Sequence, residues 1–127
     1  MINRRGNRRI PLERMVGISF DGSANILCLC RDLSLTGLFL FAPHPPRPYT
    51  SCMLTIRKSR AKRQFLLRLA GQVIRRDGKG LAISFTEMSL STFSLLQTLL
   101  LYHSHDPAAL GEEFIRPCPF TVHEQAA

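Results

Sequence analysis

Two short stretches hold the side chains best suited to grip an anionic ligand. The first is Arg4-Arg5-Gly-Asn-Arg8-Arg9. A guanidinium donates two parallel hydrogen bonds from a planar fork, which fits a phosphate or the O6/N7 edge of guanine. It also stacks on a base. The second stretch runs from Arg31 through Asp32, Ser34 and Gly37 to Leu38. Its carboxylate and hydroxyl have two uses. They can bond their own backbone in an Asx or Ser turn, with Gly37 left-handed. Alternatively, a turn at the rim of a sheet aims them outward, where a carboxylate accepts from N1–H and N2–H of guanine. Either stretch alone is weak. An arginine-rich arm is also what an ordinary basic tail looks like, and a turn needs no ligand to explain it.

Other chemistries find little footing. His44 lies among prolines, His103 and His105 fall at a helix end, and His123 is near the C-terminus; none is spaced with an acidic partner for metal binding or general-base work. No serine sits in a nucleophile elbow, and there is no phosphate-binding glycine loop of the P-loop or dinucleotide type. The acidic residues are spread singly. Cys28 and Cys30 form a C-x-C pair, but zinc would need Cys52 and Cys118 to complete the set, and buried thiols acting as small hydrophobes are the simpler reading. A binding protein without catalytic or metal-binding residues, and without a cofactor, is therefore expected.

Charge narrows the partner. Residues 1–100 carry sixteen Lys/Arg against five Asp/Glu, a net of +11, whereas residues 101–127 carry one against four, a net of −3. The body attracts an anion and the tail does not. Nucleic acid fits less well than a small anion. There is no Trp for base stacking, and Phe20, Phe39, Phe41 and Phe85 read as core. With 45% hydrophobic and 20% charged residues the chain is globular rather than disordered. The densest apolar run, Leu95 to Tyr102, is far shorter than the ~20 residues a bilayer needs, so no membrane insertion is expected. No apolar segment follows the N-terminal arginines as in a secretory signal. A cytoplasmic protein with reduced cysteines is expected.

The elements that must position these groups are mostly strands. Residues 1–9 read as a flexible basic arm. Alternation from Leu12 to Phe20, the turn Asp21-Gly-Ser23 and a return strand over residues 24–31 make a hairpin. Leu38–Phe41 and Cys52–Ile56 are further strands, separated by a proline loop. The basic run Arg57–Arg63 reads as a solvated turn, Phe65–Arg75 as a long strand bent at Gly71, and Asp77-Gly-Lys-Gly80 as a second hairpin turn before Leu81–Phe85. Ser89 or Ser91 caps a helix, and Asp106-Pro107 opens a shorter one. The remainder to residue 127 reads as an extended tail. About six short antiparallel strands suggest a small barrel or sandwich.

Taken together, the two stretches are far more specific. An R-x-x-x-R element before the first strand and D-x-S-x-x-G after the second resemble the PilZ domain family. The motifs here are Arg5-Gly-Asn-Arg-Arg9 and Asp32-Leu-Ser-Leu-Thr-Gly37. Ala70-Gly-Gln-Val-Ile-Arg75 and Gly80-Leu-Ala-Ile-Ser-Phe85 look like the family's later strands. The resemblance implies a six-stranded antiparallel PilZ-like β-barrel over residues 10–104 with a C-terminal α-helix, followed by a short helix and tail over residues 105–127. It implies a non-enzymatic receptor for cyclic di-GMP, in which Arg5 and Arg9 grip guanine edges and phosphates and Arg4 or Arg8 add contacts. Arg4-x-x-x-Arg8 also satisfies the motif; the Arg5/Arg9 pair is preferred because Arg9 leads directly into Ile10-Pro11. Asp32 and Ser34 would hold a guanine, Gly37 would keep the turn, and Arg75 would approach the ligand. Ligand binding would order the arm against the barrel and change a surface offered to a protein partner. The alternatives are a small basic nucleic-acid binder and a structural adaptor with a vestigial site.

Overall fold

The structure is a computed structural model and describes residues 7–20, 24–42, 47, 49–60 and 63–124. The strands are β1 (Ile10–Phe20), β2 (Ile26–Leu33), β3 (Gly37–Phe41), β4 (Ser51–Arg60), β5 (Arg63–Arg76) and β6 (Leu81–Ser89). They are followed by helices α1 (Leu90–His103) and α2 (Pro107–Phe114) and a short strand β7 (Thr121–His123). The order β3-β2-β1-β4-β5-β6 is antiparallel throughout, and β3 pairs back onto β6. The sheet is thus a closed six-stranded antiparallel barrel. β7 lies outside it, parallel to β6.

Period-two alternation fills the interior. Val16, Ile18, Cys30, Leu38, Leu40, Leu54, Ile56, Leu67, Leu69, Leu81 and Ile83 point inward and are essentially inaccessible. α1 packs on β5 and β6 and buries Leu96, Leu99 and Leu100. It starts where expected: the Ser89 hydroxyl accepts from the Thr92 N–H at 3.1 Å. Asp106 caps α2 in the same way, accepting from the Ala109 N–H at 3.2 Å, with Pro107 in the first turn.

Three expectations need correction. The basic run Arg57–Arg63 is not all turn: β4 continues through Arg60 and β5 resumes at Arg63, so the strands run further than its charge suggested, and residues 61–62 lie outside the described residues. The tail is not wholly extended coil, since β7 adds to β6 and Phe120 packs on Phe85 and Phe93. Phe41 is not an interior residue but is 37% exposed, whereas Phe39 is buried, though on the outer face. Their rings meet edge to face with centroids 5.7 Å apart.

Cys28, Cys30 and Cys52 face the core and are unpaired. Burial pushes the Cys30 thiol up to about 12 and the Cys52 thiol up to about 11, and raises that of Cys28. These groups hold their protons more tightly folded than unfolded. Their contribution to stability is therefore complete below the ordinary thiol value of 9.0 and is lost as pH rises through about 11 to 12. Iodoacetamide at slightly alkaline pH is expected to label the half-buried Cys118 first and the other three only after unfolding. Mass spectrometry should show a single adduct on the native chain; multiple rapid adducts would mean that the barrel opens readily.

Candidate ligand-binding site

Arg9 enters β1, and its Nη1 lies 2.7 Å from Oδ1 of Asp32. The other oxygen, Oδ2, accepts from Nε of Arg31 at 2.8 Å. Asp32 therefore holds two guanidinium groups at once, with its own side chain only 14% exposed. Charge-assisted bonds of this length are strong for their type.

Arg31 reaches that position through a bulge. Cys30 pairs with Leu40 and Asp32 with Phe39, so Arg31 has no opposite residue on β3. The extra residue re-aims the side chain. The Arg31 guanidinium carbon sits 4.0 Å from the centre of the Phe39 ring, which is why Phe39 is buried despite facing outward. Asp32, Phe39, Ala82 and Arg75 follow one another across β2, β3, β6 and β5. Arg75 is exposed at the end of that row, but β2 and β5 are three steps apart in either direction round the six-stranded ring, so Arg75 stands on the opposite side of the barrel from Asp32.

The rest of the motif builds the turn. Ser34 is buried, and its hydroxyl accepts from the N–H groups of Thr36 and Gly37 at 3.3 and 3.2 Å and donates to the Gly37 carbonyl. It does not face outward as expected; the local Ser-turn reading describes it. Gly37 is not left-handed either. A Cβ there would stand 2.3 Å from the Ile83 carbonyl oxygen, so glycine is required by the close approach of β3 to β6.

The arm is anchored at its described end. The Asn7 side chain donates to the Thr36 hydroxyl at 3.3 Å. The Arg8 N–H donates to Oε1 of Glu113 at 2.9 Å, and the Arg8 guanidinium lies 3.8 Å from both Glu113 and Asp106. Arg4 and Arg5 lie outside the described residues. Arg8 turns to α2, and Arg9 turns to the Asp32 turn.

Sequence reasoning missed Arg31 and Glu113. Arg31 adjoins the motif, but its role depends on a bulge that leaves no mark in the pattern. Glu113 is an acid with a side chain 2% exposed in a helix of few apolar residues. Its pairing with a residue 105 positions away carries no local signal.

The family model of the PilZ domain matches residues 3–102, and the chain belongs to that family. The match stops short of α2, so the helix that holds Arg8 lies beyond it. No curated protein matches the sequence. Among solved structures, the Bacillus subtilis inhibitor of motility MotI/DgrA superposes with a TM-score of 0.66 at 17% identity, over 80% of this chain and 51% of that one. The PilZ domain of CeSA from a cellulose-synthesizing bacterium gives 0.58 at 21% identity, over 75% and 96%. The Borreliella burgdorferi PlzA protein in complex with c-di-GMP gives 0.51 at 18% identity, over 82% and 38%. The chain thus spans about half of MotI/DgrA and less of PlzA. At these identities the likeness is one of fold.

Proposed function

We propose that the chain is a non-enzymatic cytoplasmic receptor for cyclic di-GMP. One observation carries the reading: Arg9 and Arg31 are held on the two oxygens of Asp32, beside a motif turn within a PilZ domain. That PlzA is recorded with this ligand supports it. Two fixed guanidinium planes present forks to phosphates and guanine edges at little further ordering cost. Asp32 is already engaged, so a guanine that bonds it through N1–H and N2–H must take the place of one arginine, freeing that arginine for the ligand's phosphate or O6/N7 edge. Ser34 and Gly37 act by shaping the turn. Arg4 and Arg5 complete the grip from the arm, which the ligand orders against the barrel, altering the surface offered to a protein partner.

Calorimetric titration tests the ligand. Adenine lacks N2 donors and O6, so cyclic di-AMP forgoes at least two charge-assisted bonds of roughly 1.5–3 kcal/mol each. Cyclic di-GMP is expected to bind about 100-fold or more tightly than cyclic di-AMP. Equal affinities would remove the guanine assignment, and tight DNA binding at physiological salt without dinucleotide affinity would favour a nucleic-acid binder.

Trypsin tests the arm. Cleavage after Arg4 and Arg5 is expected to slow with saturating cyclic di-GMP, while cleavage within residues 57–63 changes little. If the arm is equally labile with ligand demonstrably bound, its arginines are not part of the clamp.

A further inference from the structure

We propose that the outer wall of the barrel around Met15, Leu29 and Phe41 is a docking surface for a partner protein that presents an acidic, apolar segment. Met15 pairs with Leu29 across β1 and β2, and Leu29 pairs with Phe41 across β2 and β3. Their neighbours Val16, Cys28, Cys30 and Leu40 fill the core, so these three side chains share the outer face. They are 47%, 42% and 37% exposed, and Leu27, two residues along the same face from Leu29, is 66% exposed. Single exposed hydrophobic residues are ordinary; a contiguous row over three strands is a mark of an interaction site. Methionine and leucine also adapt to a partner's shape.

The surround sets the partner's charge. Arg31 flanks the row on β2, and on β4 the exposed Arg57 follows Ile56, which pairs with Val16, and so stands beside Met15; Arg14 pairs with Cys30 and belongs to the other face. On β1 to β4 the described acids are Glu13, which shares the row's face two residues from Met15, and Asp32, which is held between Arg9 and Arg31. An apolar centre with a basic rim complements an acidic rim. A second copy would set arginines against arginines about a two-fold axis. A membrane is a poorer fit, because these side chains lie half covered on a sheet wall instead of projecting as a wedge into the headgroup layer. The ring of strands is closed, so this wall has no free edge for strand addition and must be read through side chains.

Arg31 joins this wall to the candidate ligand site, since it bonds Asp32 while covering Phe39, whose ring meets Phe41. That link rests on the cyclic di-GMP reading; the docking surface does not.

The test is selection of binders from a random displayed peptide library on the full chain without nucleotide. Enriched peptides are expected to combine apolar residues with Asp and Glu. They should bind the Met15→Thr/Leu29→Thr variant about 10-fold or more weakly, as expected for losing two buried apolar contacts. Threonine keeps strand propensity, and the variant should retain the parent's thermal midpoint and nucleotide titration. If it does not fold, Arg57→Glu serves instead and should cost a similar factor by reversing the rim. Basic or neutral peptides, no enrichment, or binding indifferent to these changes would overturn the proposal. So would Leu29-dependent co-sedimentation with phosphatidylserine vesicles, or a Leu29-dependent dimer in sedimentation equilibrium. A negative cyclic di-GMP titration would leave this surface untouched.

Discussion

Replacing Arg9 with lysine is expected to weaken cyclic di-GMP binding by about 100-fold, nearly as much as replacing it with alanine. Lysine keeps the charge and can still pair with Asp32, but as a point charge it offers no planar fork and no stacking face. Arg9 stands 2.7 Å from Asp32, whose second oxygen holds Arg31, so the fork is aimed before any ligand arrives. The Arg9 side chain is itself 32% exposed, and a pair this open contributes only about 1 kcal/mol or less to folding. The variant should therefore melt close to the parent, which separates loss of binding from loss of fold. The exposed Arg68→Lys, on the far side of β5, is the matched control. If Arg9→Lys binds like the parent, attraction of net charge is the whole interaction, and a polyanion becomes the better ligand.

Gly37→Ala is expected to cost about 3 kcal/mol or more, lowering the thermal midpoint by roughly 10 °C or more. The added methyl would lie 2.3 Å from the Ile83 carbonyl oxygen and 3.3 Å from its carbon. Both atoms belong to backbone in the β3–β6 ladder, so relief requires the strands to part. Gly78→Ala meets nothing within 4 Å and should shift stability by no more than about 0.5 kcal/mol. A parent-like midpoint for Gly37→Ala would show that β3 and β6 can separate at little cost, and that the turn is held by its own hydrogen bonds alone.

What the sequence discloses here is what neighbours in the chain decide. The cap at Ser89, the Asp106-Pro107 helix start and the Asp77–Gly80 turn are settled within a few residues. In that turn the Asp77 carboxylate accepts from the N–H of Lys79 and Gly80 at 2.8 and 3.1 Å, which holds its carboxyl below the usual range. The paired arginine and aspartate motifs were visible as types and spacing. The direction of each side chain was not. Ser34 turns inward because its hydroxyl has backbone donors within reach, whereas Phe39 faces out because it alternates with the inward Leu38 and Leu40 on β3. The length of the β4–β5 hairpin was hidden by its charge, because cross-strand pairing, not composition, decides where a strand ends. The contact of Arg8 with Glu113 depends on α2 folding back on α1 to reach the chain just before β1, which no local pattern encodes.

The seam between β3 and β6 has a kinetic meaning. Four of the barrel's ladders are hairpins, whose strands follow each other in the chain, but β1–β4 and this one are not, and this one brings residues 37–40 against residues 81–84. A contact so distant in sequence carries a larger loop-closure entropy and is expected to form late in refolding. The motif turn gains its contacts with β6 in that late step: the Phe85 N–H donates to the Thr36 carbonyl at 2.8 Å, and Gly37 pairs with Ser84. A partly folded chain with its hairpins in place would hold the turn beside Asp32 by its local bonds but would lack the bonds that tie it to β6. A ligand that binds the completed ring and not the open chain would, at a concentration 100 times its dissociation constant, deepen the native well by about 2.7 kcal/mol. Ligand supply would then set how much of the chain holds the closed ring.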